Sequence, residues 1–202
     1  MLRKNTLLAA LFCSGALFTT SCSSLARAKK SAQAPTRSAA APKTAQARQA
    51  AVADVRKIVY DPQLESSVLP PLFVELIRLA NGIAIDYENF STSVTKSCLK
   101  ACHKVLAKTK KVIEKAKKQG NISQEVRAVQ RYVCWRTLKE AFEKAEQAVR
   151  TEQLAHKLEK QGKLPEALEA YRKATEAYQT TGAAVSEVVA IAKATTQRLA
   201  HE

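Results

Sequence analysis

Apolar side chains return every three or four residues along much of the chain after Pro71. The first such segment carries Leu72, Phe73, Leu76, Ile77, Leu79, Ala80, Ile83 and Ala84. This spacing predicts an amphipathic core helix, and Pro71 suits its first position because a helix does not use that N–H. The segment before it, 58–71, is predicted to be extended, because the prolines near its two ends disfavour helix in the residues that precede them.

Two longer helices are predicted on either side of Gly120. One, at about 91–119, carries an apolar face made of Val94, Cys98, Cys102, Val105, Val112, Ile113 and Ala116. The other, at 123–161, repeats the pattern with Val126, Val129, Val133, Leu138, Phe142, Ala145 and Val149. Gly120 and Asn121 interrupt the helical pattern, and Ser123 is a suitable cap for the second helix. The pair is therefore predicted to fold back as an antiparallel hairpin.

A second hairpin is predicted around Gly162, at about 149–179. Its small and apolar positions are Leu154, Ala155, Leu158, Gly162, Leu164, Ala167, Tyr171 and Ala174. With Gly162 in the turn and Pro165 opening the next helix, this pattern resembles a single tetratricopeptide helix pair. The resemblance implies a groove that binds a protein partner. A separate C-terminal helix, 183–200, is predicted after Thr180-Thr181-Gly182, either as a cap of the pair or as an ordinary bundle member.

The N-terminus has the pattern of an export signal. Arg3 and Lys4 precede twelve apolar or small residues, Leu7 to Phe18, and the run ends at Thr19-Thr20-Ser21-Cys22. The run is too short for a membrane span, which needs about 20 residues. Small residues before a cysteine resemble the lipobox of bacterial lipoproteins. The resemblance implies that residues 1–21 are a signal peptide and that Cys22 receives a diacylglycerol. Cleavage after Ala26-Arg27-Ala28, which would release a soluble protein, is the alternative.

The segment that follows Cys22 is basic and poor in large apolar residues. Between residues 23 and 57 it has one acid, Asp54, against eight basic residues, Arg27, Lys29, Lys30, Arg37, Lys43, Arg48, Arg56 and Lys57. Such a composition offers too little apolar surface to offset the entropy of ordering. Residues 22–57 are therefore predicted to be a disordered tether, which either adheres to anionic headgroups or wall polymer or serves as a plain spacer.

Composition favours helices throughout the remaining domain, 58–202. The chain has 202 residues, of which 46% are hydrophobic and only 5 are Gly and 6 are Pro. The second half is rich in Ala, Lys, Glu, Gln and Leu, which are strong helix formers. The predicted fold class is all-α, with antiparallel helical hairpins packed as a bundle after the tether.

Charge is concentrated on one predicted helix. The formal net charge is +15, and the helix at 91–119 carries seven lysines spaced by three or four residues: Lys96, Lys100, Lys104, Lys108, Lys111, Lys115 and Lys118. At 100° per residue they fall on one face. This lysine face is either a solvated surface or a docking face for lipid headgroups, lipopolysaccharide or a teichoic polymer. Nucleic acid ranks last, because export separates the protein from the chromosome and no aromatic platform accompanies the lysines.

Cysteine and histidine chemistry is confined to the first hairpin. If its helices fold back at Gly120, Cys134 lies about a turn and a half from Cys102, which predicts a Cys102–Cys134 disulfide in an oxidising compartment, with reduced buried thiols as the alternative. Cys98, Cys102 and His103 also invite a haem site, but haem attachment normally uses a two-residue gap and this one has three. With Cys134 the same residues have suitable ligand types for zinc, although cysteines four residues apart on an apolar helix face are more often part of the core. We expect no metal and no cofactor.

The sequence therefore predicts a location more sharply than a molecular role. The expected protein is a non-enzymatic lipoprotein of the bacterial cell envelope, anchored by lipid to a membrane, which is the outer membrane if the cell is Gram-negative. It would bind a protein partner or serve as a structural module. The alternatives are an electrostatic binder of anionic lipid or polymer through the lysine face, or a soluble secreted helical protein. No catalytic motif is visible, so enzymatic activity ranks third.

Overall fold

Five helices make up the computed structural model, which describes residues 39–61 and 71–200. They are α1 (Ala40–Val59), α2 (Pro71–Glu88), α3 (Ser93–Lys118), α4 (Ile122–Lys160) and α5 (Leu164–Ala200). The two described ranges contain no strand, so the predicted all-α fold built from packed helices is confirmed. None of the described helices is both long enough and apolar enough to cross a membrane. The predicted signal peptide and Cys22 lie outside the described residues.

The helices pack around α2. Helices α4 and α5 form the most extensive pair, α3 packs along α4, and α1 packs on α5 and α2, while α2 contacts all four of the others. The largest fully buried side chains come from these elements: Phe73, Leu76, Ile83 and Tyr87 of α2, Trp135, Leu138 and Phe142 of α4, and Tyr171 and Tyr178 of α5. The core is therefore built from aromatic and branched side chains on α2, α4 and α5.

Helix α1 corrects the predicted tether. Residues from Ala40 onwards are helical and packed, although they were expected to be disordered up to residue 57, and Ile58 and Val59 are helical rather than extended. The buried positions of α1 are Ala41, Thr44, Ala51, Val55 and Val59, spaced by three, four or seven residues. The periodicity was missed because small and polar side chains form most of this stripe, and they contribute by allowing close approach rather than by their apolar area. The remainder of the predicted tether, 22–38, lies outside the described residues.

Both predicted turns are present. Gly120 and Gly162 adopt positive φ angles of 64° and 74°, which glycine accepts without steric cost. The cap of α4 differs from the prediction, because the Asn121 side chain, not that of Ser123, accepts a hydrogen bond from the Gln124 N–H at 3.0 Å.

The predicted break after Thr180 is absent, because α5 is continuous from Leu164 to Ala200. A Cβ atom at Gly182 would lie 3.2 Å from the Cβ of Asp54 on α1, so this glycine serves a close helix–helix approach rather than a turn. The two threonines before it bond within the helix, since both hydroxyls donate to the Ala177 carbonyl at 3.0 Å. The pair predicted at about 149–179 is thus only the part of α4 and α5 next to their shared turn, and both helices extend well beyond it.

Candidate anion-binding surface

The start of α3 is held by a carboxylate of the preceding helix. Asp86 of α2 is 1% exposed and accepts hydrogen bonds from the Thr95 N–H at 2.6 Å, the Val94 N–H at 3.2 Å and the Ser91 hydroxyl at 2.6 Å. The two amides belong to the first turn of α3, whose N–H groups have no partner within the helix. Burial acts to raise the pKa of Asp86, but these hydrogen bonds outweigh it and hold the pKa below its ordinary value. Asp86 therefore joins α2 to α3 and helps to set the orientation of α3.

The side of α3 opposite the lysines packs on α4, as the predicted hairpin requires, and also on α2. Its buried residues are Thr95, Cys98, Cys102, Thr109 and Ala116. Near the N-terminal end, Val94 and Cys98 pack close to Gly82 of α2. The opposite side is therefore left to solvent along the whole helix.

All seven residues of the lysine face are exposed. Helix α3 has nine lysines in all against one acid, Glu114. Among the ion pairs of the described residues, none involves the seven, and the one lysine of α3 that is paired is Lys117, at 3.7 Å from Glu125. The face therefore carries seven lysines that are in no ion pair among the described residues, with one acid, Glu114, on the same side of the helix.

The exposed cations of α4 and α5 are arranged differently. On these helices basic residues pair with acids three or four positions away: Arg136 with Glu140, Lys139 with Glu143, Arg150 with Glu146, and Arg172 and Lys173 with Glu169. In the last group, the two cations and the hydrogen bonds from Arg172 hold the pKa of Glu169 at about 2. These parts of α4 and α5 therefore interleave charges of opposite sign, whereas the lysine face has a single acid.

A groove runs beside the lysine face, between α3 and α4. It has a volume of about 420 Å³ and is lined by Val105, Lys108, Thr109, Val112, Gln124, Arg127, Ala128 and Arg131. Val105, Val112 and Ala128 give it an apolar part, and Lys108 of α3 and Arg131 of α4 line it from the two helices. The two arginines were missed from the sequence because they lie on a different helix from the lysines, and only the hairpin register brings them alongside.

The end of this hairpin is unusually poor in buried side chains. Within residues 108–131, here called the hairpin tip, only Thr109, Ala116 and Ala128 are buried. Four large apolar side chains in it are exposed: Ile122 at 75%, Val112 and Val126 at 41% and Val129 at 40%. The sequence placed Val112, Val126 and Val129 on core-facing sides, and that expectation is wrong for these three positions.

The three cysteines of the helical domain are free and buried. Cys134 Sγ lies 3.6 Å from Thr195 Oγ1 on α5. The predicted Cys102–Cys134 disulfide is not formed in the structure. Helix α4 packs against several neighbours, and the hairpin register gives the level of Cys134 along the helix but not the side on which it lies.

The cysteines and His103 do not converge on a ligand. Cys98 and Cys102 are buried whereas His103 is exposed, and the part of the chain that the structure describes has no group of three or more His, Cys, Asp or Glu side chains placed to hold a metal ion. Burial raises the pKa of all three thiols, that of Cys102 to about 12. Thiols with such pKa values are poor nucleophiles near neutral pH.

A buried ionic cluster joins α1 to the second hairpin. Glu152 is 1% exposed and accepts a hydrogen bond from the Tyr178 hydroxyl at 2.7 Å, while its Oε2 lies 3.1 Å from Arg48 Nε of α1. Arg48 also donates to the Tyr87 carbonyl at 2.7 Å and lies over the Phe90 ring. Burial, followed by the negative charge of Glu152, raises the pKa of Tyr178. The cluster fixes α1 in place rather than presenting a reactive group to solvent.

Helix α1 also occupies part of the surface that the tetratricopeptide-like pair was expected to offer to a partner. Ala155, Ala167, Ala170 and Tyr171 of the pair form a cluster with Ala41 of α1. The Thr44 hydroxyl of α1 contacts the Tyr171 carbonyl at 3.2 Å. The small residues of the pair therefore serve packing within the chain. The predicted protein partner stays a prediction and needs a different surface.

Similarity to known proteins does not assign the chain to a family. No family model, curated protein or solved structure matches it. The charge and shape of α3 and α4 are the observations on which a functional interpretation depends.

Proposed function

We propose that the chain is a non-enzymatic lipoprotein of the bacterial cell envelope, anchored through Cys22, and that its helical domain binds an anionic polymer or lipid surface through the lysine face. The observation that carries this proposal is the uncompensated charge of that face. Seven exposed lysines follow one side of α3, and none of them is in an ion pair among the described residues. Phosphate and carboxylate groups repeated along a surface are the natural complement of such a row.

The lysine face is unfavourable for the isolated protein. Like charges three or four residues apart on a helix destabilise it by about 0.2–0.5 kcal/mol per pair. The seven lysines form six successive pairs of this kind, so their mutual repulsion costs about 1–3 kcal/mol in low salt. An anionic ligand would relieve this repulsion on binding, whereas an ordinary solvated face would be more stable with interleaved acids, as on α4 and α5.

The proposed anchor agrees with this role. A lipid on Cys22 would hold the domain at a membrane, since two or three acyl chains, at about 0.8 kcal/mol per buried methylene, bind essentially permanently. Weak electrostatic contacts would then suffice, because the ligand and the lysine face are held within the same thin layer of the envelope.

Exposed leucines favour a protein partner as a second candidate. Leu154 of α4 and Leu164 and Leu168 of α5 are between 39% and 49% exposed. They lie in the segment that resembles a tetratricopeptide pair, away from the side covered by α1. Purification with one stoichiometric partner, lost on replacing Leu154 and Leu168 by serine, would support this candidate.

Salt-dependent binding tests the lysine face. The full chain with Cys22→Ser, which cannot carry the lipid, is sedimented with phosphatidylglycerol vesicles and with purified wall polymer at low and high salt. Replacing Lys104, Lys108 and Lys111 by glutamine should weaken retention about tenfold or more, because each lost contact near an anionic surface is worth about 1 kcal/mol.

A matched control is available on the same molecule. Lys157, Lys160 and Lys163 are also exposed but lie at the turn between α4 and α5. Replacing these three by glutamine removes the same charge and should leave retention largely unchanged. Equal losses in both triple variants, or retention that does not weaken with salt, would show that the lysine face is not the binding site.

A further inference from the structure

The hairpin tip combines two features that do not occur together elsewhere in the described residues. It buries only three small side chains, Thr109, Ala116 and Ala128. It also exposes Ile122, the most exposed of the large apolar side chains described, together with Val112, Val126 and Val129. In the remainder of α4, large apolar side chains such as Trp135, Leu138 and Phe142 are fully buried. The tip is therefore not built to support a core.

The exposed apolar residues form a stripe on α4. Ile122, Val126 and Val129 are spaced by four and three residues, so they lie on one side of the helix. The stripe is about 10 Å long at 1.5 Å per residue. It begins at the turn, which makes Ile122 its outermost member. Val112 lies across the hairpin, on the wall of the groove beside Lys108.

The hairpin tip that carries the stripe is strongly cationic. It contains eight basic side chains: Lys108, Lys110, Lys111, Lys115, Lys117, Lys118, Arg127 and Arg131. It contains two acids, Glu114 and Glu125, so its net charge is +6. This charge opposes pairing of the stripe with a second copy of the chain, because two such tips would repel each other.

We infer that the hairpin tip enters the headgroup layer of an anionic lipid bilayer, with Ile122 outermost and the lysines and arginines around it in contact with lipid phosphates. The inference rests on the proposed function and assigns its ligand to lipid. A soluble polyanion satisfies only the charges and leaves Ile122 and Val126 in water. A bilayer offers both anionic groups and an apolar layer beneath them, and the long stems of lysine allow the ammonium group to stay at the phosphates while apolar neighbours go deeper.

The dimensions agree with this placement. Interfacial protein segments bury their apolar face about 5–10 Å into the boundary between headgroups and acyl chains. The stripe from Ile122 to Val129 covers about that depth if the hairpin enters turn first and tilted towards the lysine face. Lys111, Lys115 and Lys118, the members of the lysine face nearest the turn, would then be nearest to the lipid, and the rest of the face would follow the headgroup surface.

Vesicle sedimentation with paired variants tests the inference. The full chain with Cys22→Ser is compared with the same chain carrying Ile122→Ser and Val126→Ser, on vesicles of phosphatidylglycerol and phosphatidylcholine at fixed salt. Both positions are exposed, so the fold should be unaffected. We expect the tip variant to bind phosphatidylglycerol vesicles about tenfold more weakly, the loss of apolar burial being the cause. Pure phosphatidylcholine vesicles provide the baseline for the N-terminal segment.

The control variant carries Leu154→Ser and Leu168→Ser, which are 49% and 48% exposed and lie outside the tip. It should bind like the parent chain. If the tip variant also binds like the parent while the lysine variants lose binding, the tip does not enter lipid and the proposed function stands alone. If neither the tip nor the lysine variants lose binding, both proposals fail. Displacement of all variants to the same extent by soluble polyphosphate would also overturn the inference, because it indicates charge alone.

Fluorescence gives a second test that does not depend on affinity. Trp135 is the chain's one tryptophan and is fully buried, so an Ile122→Trp substitution adds a reporter at the tip. Its emission should shift to shorter wavelength on phosphatidylglycerol vesicles and not on polyphosphate. Emission that stays unchanged on vesicles to which the chain is bound would exclude insertion of the tip.

Discussion

Asp86, a buried carboxylate of α2, caps the N-terminus of α3, because the residue at the cap position of α3 makes no capping hydrogen bond. The Thr92 side chain makes no capping hydrogen bond, and the two oxygens of Asp86 accept from the first-turn amides instead. Three partners in a buried site make the interaction worth more than a surface hydrogen bond. The orientation of the lysine face therefore depends on a residue outside α3.

We predict that Asp86→Asn lowers the free energy of unfolding by about 1–3 kcal/mol at pH 7, because an amide NH₂ cannot accept the hydrogen bonds that both carboxylate oxygens now receive. The pKa of Asp86 is below its ordinary value of 3.8, so its charge stabilises the fold above pH 3.8 and this contribution disappears as the pH falls through the lower, folded-state value. Urea unfolding at several pH values measures the difference.

Glu88→Gln is the control for this prediction. Glu88 pairs with Arg56 on the exposed surface at 2.7 Å, and an exposed pair contributes about 0–1 kcal/mol. A larger effect from Glu88→Gln than from Asp86→Asn, or an Asp86 effect that grows in acid, would contradict the role given to Asp86.

The buried thiols are expected to be unreactive in the folded protein. With a pKa of about 12 for Cys102, only about one molecule in 10⁴ has the thiolate at pH 8, and burial restricts access further. We predict that iodoacetamide modifies Cys98, Cys102 and Cys134 readily after unfolding and much more slowly before it. Mass spectrometry without reduction provides the readout. Two of these cysteines protected even in denaturant would indicate a disulfide.

At the scale of the elements, α3 and α1 both have unusual compositions for packed helices. Helix α3 has an excess of like charge, and α1 has few large apolar side chains. Helix α3 has more like charge than its stability favours, because its exposed side has one acid, Glu114, among many lysines. Helix α1 has little apolar area, yet Val55 is completely buried and α1 packs on both α5 and α2. The proposed anionic ligand would account for the composition of α3, whereas close packing against small residues accounts for that of α1.

We predict that Lys104→Glu stabilises the protein while weakening its binding to anionic surfaces. The substitution replaces repulsion from Lys100 and Lys108, each four residues away, by attraction, which is worth about 1 kcal/mol in low salt. Thermal unfolding should show a higher midpoint, with a gain that shrinks in high salt. Lys104→Gln should give about half of the gain. A lower midpoint for Lys104→Glu would show that the lysines are not in mutual repulsion.

The packing of α1 is tested by Val55→Ala. Val55 is fully buried among residues of the main core, so its truncation should lower the free energy of unfolding by about 1–2 kcal/mol, between the usual costs of removing one methyl group and a larger side chain. The exposed neighbour Lys57→Ala should change it by less than about 0.5 kcal/mol. Equal, negligible effects from both substitutions would mean that α1 does not pack in solution.

At the scale of the whole molecule, we propose that one part of the chain determines where the protein is held and another part determines what it binds. In that proposal, location depends on Cys22 and recognition on the α3–α4 hairpin, while α2, α5 and the remainder of α4 supply the core that holds the hairpin in place. Changes in one part are therefore expected to leave the other intact.

We predict that the native chain, expressed in a bacterial host with labelled palmitate, incorporates the label and fractionates with membranes. Cys22→Ser should lose both properties, because its hydroxyl cannot replace the thiol that accepts the lipid. Cys13→Ser, within the predicted signal peptide, is the matched control and should keep the label. Label that persists in Cys22→Ser would mean that another residue is acylated, and absence of label from the native chain would favour the alternative cleavage after Ala28.

The amino-acid sequence by itself determined the helical class, the two turns at Gly120 and Gly162 and the lysine face. These are local properties, since they depend on spacing along one helix or on the φ angle of one glycine. The sequence also predicted α2, whose apolar residues from Leu72 to Ala84 are large enough to show the helical period.

Tertiary structure alone decided which helical faces were covered. Ala41 and Thr44 belong to a packed helix because Tyr171 and its small neighbours accept them closely, and Gly182 lies within a helix because Asp54 is adjacent. Cys134 contacts Thr195 of α5, and Val126 and Val129 are exposed although their spacing resembles that of core residues. Each of these outcomes depends on a neighbour that is distant in the chain, and periodicity within one helix carries no information about which neighbour that is.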